Sequence, residues 1–291
     1  MSQTTHIRKL PNAKRLEKLY WKNGMSTRAL AVMFSTHQRA IIKLMQQYNI
    51  PRRDRIDAVI KGCRKYIKPP FSGNKNEKAY MLGLALADFR RRKHGYQIDI
   101  SLGTTHPCFA SLFKDLFETY APIHEKPYYN KYTRQYGWRL DTALHPTFGF
   151  LLEHKEVPVW VMEEKETFLH FLAGYTDGEG ILSISKNSKK GVSFIFAISS
   201  GDKDILLSIL KGLENLGFNP TLRILRHAGE ANAFYGKTLH YKNDHYMLRL
   251  KRKDEVMRLL TLLPIKHPEK IRKRELMFKL KDKIYIKDVY T

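Results

Sequence analysis

The chain has 291 residues, with 52 lysines and arginines against 28 aspartates and glutamates, which gives a formal net charge of +24. A hydrophobic fraction of 43% with 12% aromatic residues excludes a disordered chain and predicts two or three domains, each with its own core. The excess of positive charge indicates a polyanionic partner, most simply a nucleic acid, although charge alone does not separate DNA from RNA.

Residues 1–50 are predicted to form a helical domain. Leu16 and Tyr20 lie at helical spacing, Gly24 interrupts the pattern, and Ser26 can cap a short second helix. A third amphipathic segment ends before Pro51. Three short helices joined by tight turns resemble a helix-turn-helix module, with an ordinary three-helix bundle as the alternative. Two residues of the last helix are predicted to contact DNA: Arg39 and Lys43.

Residues 51–70 are predicted to be a basic linker that closes at Pro69 and Pro70. A basic run of this kind can be a solvated helix face. Between two DNA-binding modules it is better explained as a segment that follows the phosphate backbone, where neutralised phosphates release counterions and add sequence-independent affinity.

The remaining sequence contains two copies of one unit, residues 71–160 and 161–291. Each copy starts with an apolar, small-residue-rich helix that ends in a carboxylate, Asp88 or Glu179. Strand-like alternation, a helix, a second strand pair and a final helix follow. We therefore predict an α+β protein in which the order helix, strands, helix, strands, helix occurs twice and gives two antiparallel sheets with helices on one face each, preceded by the small all-α domain.

The two apolar helices carry the strings MLGLALADF, residues 81–89, and LAGYTDGEG, residues 172–180. These strings resemble the two motifs of a single-chain LAGLIDADG homing endonuclease. The second string follows the family pattern closely, with Glu179 as the acidic equivalent at the penultimate position. The first departs from it at Leu86, where an acid is common, and at Phe89, where glycine is usual. The resemblance extends from about Pro69 onward and implies two pseudo-symmetric αββαββα repeats that form a β-saddle.

Small residues let two crossing helices approach closely, which would bring Asp88 and Glu179 side by side. A divalent cation resolves the repulsion between two such charges, and we expect Mg²⁺, or another divalent cation such as Mn²⁺ or Ca²⁺. The resemblance implies that both residues bind metal and are catalytic, each serving one DNA strand. It also implies an assisting lysine, for which Lys270 is the first choice, ahead of Lys266 and Lys273.

Two positions near the motifs carry further expectations. Asp177 precedes Glu179 by two residues and therefore projects elsewhere, so we expect a structural hydrogen bond there, with a metal role as the alternative. In the first repeat, Lys155 is the candidate counterpart of Lys270.

The polar faces of the two sheets are expected to lie in the major groove of double-stranded DNA. First-repeat candidates are Gln97, Asp99, Ser101, Arg134 and Arg139. Second-repeat candidates are Ser183, Ser185, Lys186, Arg223, Lys242, Arg249 and Lys251. Three arginines after the first carboxylate are expected to hold the DNA backbone near the cut: Arg90, Arg91 and Arg92.

The resulting hypothesis is a site-specific homing endonuclease that makes a metal-dependent staggered double-strand cut in a long DNA target. Both repeats lie in one chain, so we expect a monomer. An intron RNA maturase and a non-cleaving DNA-binding regulator are the alternatives. The two cysteines lack the paired spacing of a zinc or disulfide site, and no apolar stretch reaches the roughly 20 residues of a membrane span, so we expect a cytoplasmic protein with no membrane partner.

Overall fold

The computed structural model describes residues 10–54, 57–58, 68–131, 134–152, 156–187, 191–234 and 237–281. These residues belong to two compact units, 1–69 and 70–291. Within the described ranges, no helix combines the length and the apolar composition that crossing a membrane requires.

The first unit consists of short helices around a small apolar core. The Ser26 hydroxyl accepts a hydrogen bond from the Ala29 N–H at 3.0 Å and so caps the second helix. The chain turns toward the third helix at Ser35, whose φ is +47°. The core is formed by Leu16, Tyr20, Leu30, Ile41, Leu44 and Met45. The elements are α1 (Ala13–Glu17), a π-helical turn (Lys18–Lys22), α2 (Thr27–Met33) and α3 (Gln38–Gln47).

The first repeat of the second unit has the predicted element order up to its last helix. In place of a final α-helix it has a 3-10 helix, Pro146–Leu152, and one helical turn, α6 (Val159–Met162). Gly149 within the 3-10 helix and Pro158 just before α6 disfavour one longer α-helix. The preceding elements are α4 (Lys75–Asp88), β1 (Arg90–His94), β2 (Gln97–Thr104), α5 (Pro107–Phe117), β3 (Ile123–Asn130) and β4 (Gln135–Leu144).

The second repeat has the predicted order with one insertion, a two-stranded hairpin that lies between its last two sheet strands in sequence. The hairpin strands are β8 (Ala231–Phe234) and β9 (Lys237–His240). The other elements are α7 (Lys165–Glu179), β5 (Gly180–Asn187), β6 (Gly191–Ser200), α8 (Lys203–Asn215), β7 (Thr221–Arg226), β10 (His245–Leu250), α9 (Lys253–Leu262) and α10 (Pro268–Lys279).

Each repeat contains one antiparallel four-stranded sheet. Sheet 1 has the order β1-β2-β4-β3, and sheet 2 has the corresponding order β5-β6-β10-β7. Alternate residues of β2 and β6, such as Ile98, Ile100, Phe194 and Phe196, pack into one core with the helices. The predicted α+β fold is therefore confirmed. We call the opposite face of each sheet its open face.

Helices α4 and α7 pack against each other more closely than ordinary side chains allow. A Cβ atom added to Gly83 would overlap the Phe171 carbonyl oxygen, and one added to Gly174 would overlap the Tyr80 carbonyl oxygen. The two overlaps are reciprocal: Phe171 lies three residues before Gly174, and Tyr80 lies three residues before Gly83. This close approach places the two helix ends together.

Candidate active site where two helices end

Asp88 and Glu179 are the last residues of α4 and α7. The helix ends meet so closely that a Cβ atom on Gly178 would lie 3.1 Å from Oδ2 of Asp88. Sequence reasoning predicted this juxtaposition, and the structure brings the two residues together.

Electrostatics at the helix ends are unfavourable for two ionised acids. Burial, followed by the nearby Asp88 carboxylate, raises the pKa of Glu179 to about 7, while Lys270 acts in the opposite direction. The Asp88 side chain reaches solvent, but surrounding protein atoms still desolvate it and raise its pKa, again against Lys270. The site therefore holds negative charge that the protein only partly compensates.

Lys270 is the lysine that the structure brings to these acids. Its Nζ donates hydrogen bonds to the carbonyl oxygens of Thr176, Asp177 and Gly178, the last two at 2.8 and 3.2 Å. Burial lowers the pKa of Lys270 to about 8, although Asp177 and the two terminal acids oppose that shift. Lys270 thus places a positive charge at the C-terminal end of α7, where the helix dipole is negative.

The two other lysines considered lie elsewhere. The Lys266 ammonium lies 4.6 Å from the centre of the Tyr80 ring, and Lys273 is exposed. Lys155, the candidate of the first repeat, lies outside the described residues.

Asp177 anchors the segment that carries Lys270. Its carboxylate is 1% exposed, and Oδ2 accepts hydrogen bonds from the Tyr80 hydroxyl at 2.6 Å, the Lys266 N–H at 2.7 Å and the His267 N–H at 3.1 Å. These bonds tie α7 to the start of α10. Lys270 lies one helical turn after His267. By holding the backbone at Lys266 and His267, Asp177 therefore determines where the Lys270 ammonium group lies.

His267 caps α10 in its neutral form. Its Nδ1 accepts a hydrogen bond from the Glu269 N–H at 3.2 Å, and its ring packs 5.3 Å from the Phe109 ring. Burial, assisted by Lys270, lowers the pKa of His267 to about 4. Protonation would therefore remove the cap and bury a charge.

We expect His267 to make the protein less stable in acid. Its folded-state pKa of about 4 lies below the ordinary histidine pKa of 6.5, so the unfolded chain binds more protons between these values. The free energy of unfolding should fall by about 1–3 kcal/mol as pH drops from about 6.5 to about 4. Urea titrations at pH 7 and pH 4.5 measure this loss. It should shrink in His267→Asn, which keeps a capping acceptor, and persist in the exposed control His94→Asn.

One acid near the site was missed by sequence reasoning. Asp202 precedes α8, makes no side-chain capping hydrogen bond, and raises the pKa of Glu179. The equivalent position in the first repeat is His106, whose Nδ1 lies 3.4 Å from Oε1 of Glu269. Asp202 and His106 both lie between the second strand and the second helix of their repeats. This shared position is the feature of the sequence that could have identified Asp202.

An open cavity of about 410 Å³ adjoins Asp88. It is continuous with the surface and has room for part of an extended ligand. Its lining includes Thr104, His106, Phe109, Tyr128, His267 and Lys270.

Most first-repeat DNA-contact candidates lie on the open face of sheet 1. Three of them also make ion pairs there: Arg92 and Asp99 pair with each other at 3.0 Å, and Arg139 pairs with Asp141 at 3.1 Å. Arg134 lies in the turn before β4 and not on a strand. The register places the following on the open face: Arg90, Arg92, Gln97, Asp99, Ser101 and Arg139.

Arg91 is a correction to the prediction. It pairs with the core residue Ile100 in the β1–β2 register, so its side chain leaves the sheet on the helix-covered face. Its guanidinium donates a hydrogen bond to the Leu151 carbonyl at 3.1 Å. Alternation along a strand separates neighbouring residues, and three consecutive arginines cannot share one face.

The second-repeat candidates divide between strands and turns. Lys242 lies in a bend and Lys251 follows β10, both exposed, and the side chain of Lys186 lies outside the described part. Nε of Arg249 is buried and has no hydrogen-bond partner among the described residues. The candidates on the open face of sheet 2 are Ser183, Ser185, Arg223 and Arg249. In the first unit, Arg39 and Lys43 are exposed on α3.

Residues 166–266 match the family model of the LAGLIDADG-like domain. The chain therefore contains a LAGLIDADG-like domain, and the predicted resemblance is confirmed for the second repeat. The match includes all of α7 except its first residue and ends at Lys266.

An uncharacterized protein of Methanocaldococcus jannaschii is 24% identical over 184 residues, which are 62% of this chain and 63% of that protein. The chain thus spans less than two thirds of this relative's length. Solved structures similar to this chain include I-DmoI in complex with DNA and Ca (15% identity, TM-score 0.44, 69% of this chain and 98% of that one). They also include the homing endonuclease I-WcaI bound to its DNA recognition sequence (15%, 0.49, 69% and 86%) and the N-terminal LAGLIDADG domain of WhiA (15%, 0.44, 69% and 89%).

Proposed function

We propose that this chain is a two-motif LAGLIDADG endonuclease that makes a metal-dependent staggered cut in a long DNA duplex. The observation that carries the proposal is the meeting of Asp88 and Glu179 at the ends of α4 and α7, where burial and mutual repulsion raise the pKa of Glu179 to about 7. A protein that only binds DNA has no need of two acids that disfavour each other's charge.

The donor set fits a divalent cation. Carboxylate oxygens are ligands that Mg²⁺, Mn²⁺ and Ca²⁺ prefer. Among the described residues, no group of three His, Cys, Asp or Glu side chains is placed to hold a metal, so Asp88 and Glu179 form an incomplete set that phosphate oxygens and water would complete. When bound, the cation would polarise the scissile phosphate and lower the pKa of a water molecule.

The protein's own groups hold and orient this centre. Asp88 and Glu179 would bind the cation and, by the pseudo-symmetry of the repeats, serve one strand each. Lys270 directs three hydrogen bonds at backbone carbonyls, so its contribution is a fixed positive charge beside the acids and not a hydrogen bond to water. Asp177 positions Lys270 through the three hydrogen bonds that its Oδ2 accepts.

Lys270→Met is expected to slow cutting by roughly tenfold to a hundredfold with little change in DNA affinity, because it removes the positively charged side chain beside the two acids. It should also lower the free energy of unfolding by about 1–2 kcal/mol, since three carbonyls lose their donor. Initial cutting rates, gel-shift titration and urea unfolding measure these effects. The matched control is Lys273→Met, an exposed lysine of the same helix. Equal effects in both variants would contradict the role given to Lys270.

Duplex DNA is the proposed partner, bound by the open faces of the two sheets and, through Arg39 and Lys43, by α3 acting as a helix-turn-helix recognition helix. We propose that the chain acts as a monomer, with each repeat serving half of the target. An RNA-binding role is the second candidate, because Tyr129 and Tyr136 are exposed with ring centres 4.9 Å apart and offer a stacking surface.

The test uses a library of duplexes with a randomised central segment. The protein is incubated with the library and Mg²⁺ or Mn²⁺, and new ends are captured and sequenced. We expect ends with a constant stagger at one long site, and none when EDTA is present. Specific duplex binding with no cutting under either metal would establish a regulator instead, and stimulation of intron splicing would favour a maturase.

A further inference from the structure

The two sheets share one strand order, so each open-face position of sheet 1 has an equivalent in sheet 2. Arg90 and Ile181 each follow the helix-terminal acid by two residues. Arg90 pairs with Ser101, and Ile181 pairs with Ala197. The first position of the open face is therefore charged in sheet 1 and aliphatic in sheet 2.

Two more equivalent positions show the same exchange. Asp99 pairs with Arg92 in sheet 1, and its equivalent in sheet 2, Ile195, pairs with Ser183. On the next strand, the equivalent of Arg139 is Met247.

These aliphatic side chains do not belong to the hydrophobic core. Ile181 is 44% exposed, and Ile195 and Met247 are half-buried, while none of the three packs with the core cluster. Serines lie opposite two of them on the neighbouring strand, Ser183 opposite Ile195 and Ser199 opposite Met247. These aliphatic side chains are in contact with water in the free protein. Packing against a methyl group would remove apolar surface from water, which is favourable.

The charge around this surface selects the partner. Arg223 and Arg249 lie on the same face, and the described strands of sheet 2 place no carboxylate there. Aliphatic spots between cations, in a chain of net charge +24, are complementary to a duplex and not to an apolar protein surface. In the major groove, the apolar feature of a base pair is the thymine 5-methyl group, whereas arginine selects guanine and aspartate accepts from cytosine.

We infer that the half of the target under sheet 2 is read in part through thymine methyl groups, whereas the half under sheet 1 is read by charged side chains. Ile181, Ile195 and Met247 are the residues that determine specificity for thymine in the half under sheet 2. This inference rests on the proposed binding of duplex DNA by the open faces, but it does not require cutting.

The experiment replaces thymine with uracil, which removes only the methyl group. A target is first selected from a randomised duplex library by binding in Ca²⁺, and each thymine is then changed to uracil in turn. We expect each contacted uracil in one half to weaken binding about fourfold, the effect of one methyl group leaving an apolar contact. Uracil in the other half should change Kd by less than twofold.

Two variants assign the sensitive half to sheet 2. Ile195→Ser should make binding insensitive to uracil at one or two positions, and Ile181→Ser should do so at neighbouring ones. The matched control is Asp99→Ser at the equivalent position of sheet 1, which should keep every uracil effect. Circular dichroism confirms that the variants are folded.

The inference is overturned if uracil affects both halves equally or neither, or if both isoleucine variants keep the full uracil effects. The same oligonucleotides, incubated with Mg²⁺, report cutting separately. A duplex that is bound with the expected methyl dependence but never cut would refute the endonuclease and support the inference, while absence of any duplex binding would overturn both.

Discussion

Asp88→Asn and Glu179→Gln are each expected to lower the rate of double-strand cutting by about a thousandfold or more, while DNA affinity changes only severalfold. Each substitution keeps the shape of the side chain and removes the charge that would hold the cation. A loss of about 4 kcal/mol of transition-state stabilisation corresponds to a thousandfold in rate. Single-turnover assays with each strand labelled separately measure the effect, and a variant that still nicks one strand would show that each acid serves its own strand.

Asp88→Asn should also stabilise the folded protein. The Glu179 pKa is raised to about 7 from 4.5, so its ionisation costs stability as pH rises between these values. Removing the Asp88 charge relieves part of that cost, and we expect Asp88→Asn to raise the free energy of unfolding by about 1 kcal/mol at pH 8. The control is Asp254→Asn, an exposed acid of α9 whose substitution should leave cutting unchanged and should not raise the free energy of unfolding, because Asp254 pairs with Arg252. Undiminished cutting by either site variant would refute the proposed chemistry.

Gly174→Val is expected to prevent folding or to lower the free energy of unfolding by more than about 4 kcal/mol. The added side chain would overlap the Tyr80 carbonyl and lie about 2.9 Å from the Leu84 amide nitrogen, and backbone atoms of a packed helix cannot move aside. The pseudo-symmetric variant Gly83→Val should behave in the same way, because its Cβ would overlap the Phe171 carbonyl.

Gly149→Ala is the matched control for both valine variants. A Cβ atom at Gly149 meets nothing within 4 Å, so this substitution should change stability by less than about 1 kcal/mol. Thermal unfolding followed by circular dichroism measures all three variants. Wild-type melting of Gly174→Val would mean that α4 and α7 do not cross at these glycines.

Sequence alone predicted the features that depend on neighbours along the chain. Alternation in β2 and β6 identified the buried faces, Ser26 identified the start of α2, and the small residues before Asp88 and Glu179 identified two helices able to cross. Periodicity carries this information, because side chains two residues apart on a strand, or three to four apart on a helix, share a face. The repeat of one pattern in two places then predicted the pairing of the acids.

The tertiary structure decided what depends on distant contacts. Lys270 was one of three candidate lysines for this role in the second repeat, and only the folding of α10 against the end of α7, more than 90 residues earlier, gives it three carbonyl partners. The hydrogen bonds of Asp177, the desolvation of His267 and the approach of Asp202 to Glu179 likewise arise between segments far apart in the chain. A pKa depends on burial and nearby charge, and neither is set by sequence neighbours, so the candidate site acquires its electrostatic character only on folding.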